Sequence, residues 1–133
     1  MIKKRLTVWL KVLGILAGLA ATALGIYYHQ VIHPKRVVMR LHQEGVELSP
    51  QEWREVYHDA IRWGGDHDSF LGLMSVGDES SIPHLIRALE DMPGPMGCTK
   101  DHCIDALRAI TGEDLGEDAA SWKQWDESSE GGR

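Results

Sequence analysis

The sequence predicts an all-α protein in which one N-terminal transmembrane helix precedes about five to six short helices. Three observations carry that prediction. Leu6 to Tyr28 is almost uninterrupted apolar sequence. Beyond it, apolar residues recur at intervals of three and four between cap-forming residues, the spacing of one helix face. No segment sustains the two-residue alternation of a half-buried strand.

The leader, LTVWLKVLGILAGLAATALGIYY, follows the basic cluster MIKKR. At 1.5 Å per residue Trp9 and Tyr27 stand roughly 27 Å apart, close to the hydrocarbon thickness of a bilayer. Trp9, Tyr27 and Tyr28 therefore fall where both interfaces should lie, and Lys11 is near enough to one of them to snorkel. A cleaved secretory signal is the competing reading, because Ala21-Thr22-Ala23 has the small residues of a cleavage site. Both readings carry the rest of the chain across the membrane, and MIKKR favours a cytoplasmic N-terminus. Gly14 and Gly18 form a GxxxG pair through which two such helices can pack, giving a homodimer; alternatively they are small lipid-facing residues.

The 100 residues after His33 are enough for one small domain. Net charge is −6, yet the region after His33 holds only 10 of the 14 basic residues against all 20 acidic ones. That surface repels phosphate backbones and anionic headgroups, so nucleic acid is excluded as a partner and only residues 6–28 contact lipid. The domain limits are 1–33 for the anchor, 34–127 for the helical domain and 128–133 for a disordered tail.

The helices follow in order. His33-Pro34 should interrupt the long helix, since a residue before proline avoids the α region. A helix from Pro34 to Glu44 carries Val37, Val38 and Leu41 and ends at Gly45. Ser49-Pro50-Gln51-Glu52 is a capping box with proline at the first helical position. It opens a helix on which Trp53, Val56, Tyr57 and Ala60 or Ile61 share a face, stopped by Gly64-Gly65. Asp66 or Asp68 caps the next, which carries Phe70, Leu71, Leu73 and Met74 and is closed by Gly77. Asp78 begins a helix striped by Ile82, Leu85, Ile86 and Leu89. After the loop PGPMGCTK, a helix over Asp101–Thr111 turns Cys103, Ile104, Leu107 and Ile110 inward and ends at Gly112. A last one, near Asp118–Trp125, sets Trp122 and Trp125 one turn apart.

"LGLMSVGDESSIPHLIRALED" resembles the junction between HEAT-like repeats of the phycobilisome-lyase type, where a helix ends at glycine, an acidic turn follows and a proline-bearing helix begins. Gly77, Asp78, Ile82, Pro83, Leu85, Ile86 and Leu89 fit that pattern. "CIDALRAITGEDLGEDAASWKQW" is similar to the end piece of such arrays. The resemblance spans Gly65 to Trp125 and implies a short HEAT/armadillo-like α-α superhelix that binds other proteins. It departs from the family in the long Pro/Gly/Cys loop and in having few repeats, whereas about three units are needed to close a solenoid core.

Little in the chain requires catalysis. Cys98 and Cys103, the only cysteines, can form a disulfide if the domain is exported; two reduced thiols, with Cys103 in the core, are the alternative. Their spacing is not CxxC, so a redox role is not expected. Cys98, His102 and Cys103 offer three zinc ligands, but the fourth would have to come from afar and the spacing matches no familiar site, so no metal is expected. The other histidines are dispersed, with no HExxH. Glu90-Asp91, Glu113-Asp114 and Glu117-Asp118 read as helix ends and caps. Trp122 and Trp125 close the end of the stack or anchor a partner. The expected function is that of a membrane-anchored scaffold or interaction module, exocytoplasmic, without cofactor or catalytic activity. The alternatives are a secreted module freed by signal cleavage, or a bilin lyase-like ligand-handling protein with a pocket lined by Trp53, Tyr57 or His84.

Overall fold

The computed structural model describes residues 2–92, 94 and 97–130, with side chains for those between 9 and 129. Among those residues helix is the only regular secondary structure, joined by short turns, with no strand. The leader forms α1 (Ile2–Tyr27), and six shorter helices follow. Leu13, Ile15, Leu19 and Leu24 on α1 are each more than half exposed, so its apolar surface has no protein covering. This helix is long and apolar enough to cross a bilayer.

The expected break at His33-Pro34 does not occur. Trp9 to Glu44 is one continuous helix of 36 residues. Proline lacks an N–H and its ring crowds the carbonyl four residues back. The chain relieves both by a π turn over Tyr28–Ile32, in which the His33 N–H donates to the Tyr28 carbonyl five residues back. His33 itself stays helical, at φ −59° and ψ −47°. The predicted boundary at residue 33 thus lies inside a helix, which continues as α2 (His33–Glu44).

The cap signals translate directly. Gly45, left-handed at φ 62°, ends α2. The Ser49–Glu52 capping box opens α3 (Pro50–Ile61), with the Glu52 N–H donating to Ser49 Oγ and the Ser49 N–H to Glu52 Oε2. Asp66, rather than Asp68, caps α4 (His67–Val76), accepting from the Ser69 N–H at 3.1 Å. Asp78 caps a 3-10 turn, Glu79–Ser81, that runs into α5 (Ile82–Glu90). α6 (Cys98–Thr111) begins three residues earlier than its sequence suggests, so Cys98 lies on the helix rather than in the loop. α7 (Ala119–Glu130) outruns the expected end, and residues 128–130 of the predicted disordered tail are helical; 131–133 lie outside the described residues.

α2, α4 and α6 touch in succession, as do α3, α5 and α7, while α3 also packs on α4 and α5 on α6. The core sits between these two rows: Val38, Tyr57, Ile61, Phe70, Leu73, Leu85, Ile104, Leu107 and Trp122 are all buried. All four stripe residues of α5 are inside, but on α4 only Phe70 and Leu73 are; Leu71 and Met74 are 40% and 39% exposed. Gly72 supplies the close approach that lets α3 dock on α4. A Cβ there would meet the Tyr57 ring, which stacks on Trp53 and hydrogen-bonds His42 through its hydroxyl at 3.0 Å. No described buried side-chain polar atom lacks a partner.

Candidate functional site

Cys98 and His102 stand four residues apart on α6 and so share one face of the helix. Cys98 Sγ lies 3.5 Å from His102 Nε2. The packing of α6 on α4 brings in His67, the first residue of α4, whose ring meets that of His102 edge to face at 4.7 Å between centroids. One ligating atom from each of the three lies within 4.8 Å of the others. His67 Nδ1 is 3.1 Å from Asp68 Oδ1, which engages that side of the ring and leaves Nε2 for another partner. Cys98 is exposed and both histidines are partly buried, so the cluster opens to solvent.

Cys103 belongs to a different environment. It is wholly buried, its thiol donates to the Leu85 carbonyl at 3.4 Å, and burial pushes it up to about 12. A disulfide with Cys98 is not formed. Five residues along one helix separate the two by about 7.5 Å of rise and about 140° of rotation, beyond the reach of an S–S bond. The same divergence removes Cys103 from the three ligands that the sequence offered for zinc, and His67 takes its place.

A second polar grouping joins α3 to the α4–α5 turn. Arg54 Nη1 donates to the Val76 carbonyl at 2.8 Å and its Nε pairs with Asp78 at 3.1 Å. His58 Nε2 is 2.8 Å from Ser81 Oγ, and its ring stacks on that of His84 at 4.1 Å and 9°. Burial, then the neighbouring His84, brings His58 down to about 4; burial and Arg62 also lower His84. Held neutral, the stack works as a join between helices.

Comparisons with protein-family models, with curated proteins and with solved structures found no match to this chain. Function therefore rests on where side chains are placed. Trp122 is fully buried with its Nε1 donating to the Gly116 carbonyl at 2.9 Å, and Trp125 is partly buried against the core. Trp53 and Tyr57 stack on each other at 5.3 Å between ring centroids. A groove of about 490 Å³ between α5 and α7 is lined by Arg87, Glu90, Asp91, Lys123, Asp126 and Glu127 together with the apolar Pro83 and Ile86. Gly14 and Gly18 lie on α1 with nothing within 4 Å of their Cβ positions, an open face.

His67 is the functional candidate that sequence reasoning missed. It lies 31 residues before Cys98, and no local spacing connects the two. Only the α4–α6 contact does so.

Proposed function

We propose that this chain is a membrane-anchored helical-repeat module of the HEAT-like kind, whose exocytoplasmic domain binds another protein. The observation that carries this reading is the unbroken helix from Trp9 to Glu44. Its second half buries Val38 in the domain core and packs on α3, so the domain is fixed to its anchor with no free linker. A module held so close to lipid is suited to a membrane-bound or juxtamembrane partner. The succession of contacts along α2, α4, α6 and along α3, α5, α7 supports the solenoid assignment, with α2 and α7 covering faces that a short array would leave open. MIKKR ahead of α1 supports a cytoplasmic N-terminus. The groove between α5 and α7, where Asp91, Asp126 and Glu127 accompany the Lys123–Glu90 ion pair, suits a polar segment bearing a cation.

The test places a single accessible thiol at the groove, which Asp91→Cys in a Cys98→Ser background offers because Cys103 is buried. A membrane-impermeant photo-crosslinker attached there in intact cells should give one discrete adduct, absent when the same reagent is placed at Glu55 on α3. An adduct that forms only after permeabilisation would reverse the orientation. No discrete adduct under either condition would overturn the interaction reading.

A further inference from the structure

We propose that His67, Cys98 and His102 form a three-ligand, solvent-open zinc site that ties the start of α4 to the start of α6. The residue types are those that zinc selects, two imidazoles and a thiolate. Tetrahedral zinc with bonds of about 2.3 Å to sulfur and about 2.1 Å to nitrogen sets adjacent S and N ligands about 3.6 Å apart. Cys98 Sγ and His102 Nε2 already stand at 3.5 Å. The third ligand atom lies within 4.8 Å of these two, so metal binding would draw the His67 side chain in by about 1 Å.

Asp68 supplies an independent indication. Its carboxylate takes the Nδ1 side of His67, the carboxylate–histidine pairing that orients a metal-bound imidazole and raises its basicity. The supporting frame is rigid where it needs to be. Cys98 and His102 are fixed relative to each other by one helix turn, and α4 and α6 meet over an extended contact along the core. Metal binding replaces the Cys98 thiol proton, which passes to water, and the exposed side of the cluster leaves the fourth position to a solvent molecule. Cys103 takes no part, since it points into the core toward Leu85.

Cobalt(II) titration of the full chain in detergent micelles tests the site without knowledge of the partner. The expected result is one Co²⁺ per chain, with a sulfur-to-cobalt charge-transfer band in the near ultraviolet, visible bands of tetrahedral intensity, and displacement by equimolar Zn²⁺. Cys98→Ser should abolish the charge-transfer band, and His67→Gln or His102→Gln should weaken binding by tenfold or more, with the far-ultraviolet circular dichroism unchanged. Asp68→Asn, which leaves every ligand in place, should weaken it by 10- to 100-fold. Absence of the charge-transfer band at equimolar cobalt would overturn the proposal. So would binding unaffected by His67→Gln, because the α6 pair alone would then account for it.

Discussion

Trp122→Ala should cost about 3–5 kcal/mol, the usual range for removing a large aromatic side chain from a core. That is a large part of the 5–15 kcal/mol that holds a domain of this size together. Trp122 is fully buried and is the largest such side chain, and α7 meets the domain mainly along α5. The variant also leaves the Gly116 carbonyl without its indole donor. Trp125 is only partly buried, so Trp125→Ala should cost less than half as much. Urea denaturation of both full-length variants in micelles, followed by circular dichroism, checks the order. Equal losses would mean that Trp122 is not the closure of the stack.

Acidification from pH 7 to pH 4 should weaken the domain through the His58–His84 stack. His58 is neutral in the fold down to about pH 4, whereas in the unfolded chain it takes a proton near pH 6.5. The unfolded state therefore binds more protons in that interval, and stability is full above about pH 6.5 and declines as pH falls through the folded value. The whole shift corresponds to about 3 kcal/mol, but the half-buried ring is screened by solvent, which brings the effect to about 1–2 kcal/mol. Arg54, Arg62 and Arg87 around the stack disfavour its protonation, while Asp59 and Asp78 oppose them. Asp78, Asp114 and Asp118 are held below the ordinary carboxylate value by hydrogen bonds from Ser80, Arg108 and Ser121 respectively, so their contribution is lost only at lower pH. Thermal melts across pH 7–4 should show a fall in midpoint that His58→Gln largely removes. A midpoint as steep in the variant as in the parent would place the sensitivity elsewhere.

The parts of the fold that were legible in the sequence are those set by local chemistry. Ser49, Asp66 and Asp78 cap helices because short polar side chains reach unpaired N–H groups within three residues. The stripe on α5 was readable because Ile82, Leu85, Ile86 and Leu89 are apolar amid polar neighbours. Where packing decides, local signals fell short. Leu71 and Met74 fit an inward stripe, but α3 and α6 cover only part of α4 and leave both at the surface. Pro34 looked like a break because the preceding π turn, which accommodates it, has no reliable residue signature. Cys98 was assigned to a loop because a helix beginning in Cys-Thr-Lys after Gly97 has no side-chain cap. The His67 cluster was invisible for a different reason, since its ligands come from two helices whose contact is created by the fold.

Alkaline carbonate extraction of cell membranes, followed by intact mass measurement, tests the anchor most directly. A helix of this length and apolarity embedded in lipid should hold the chain in the membrane pellet at its full mass, with residues 1–28 attached. Release into the supernatant with a new N-terminus near Leu24 would contradict the account, because the helix that carries the domain would then be a discarded signal.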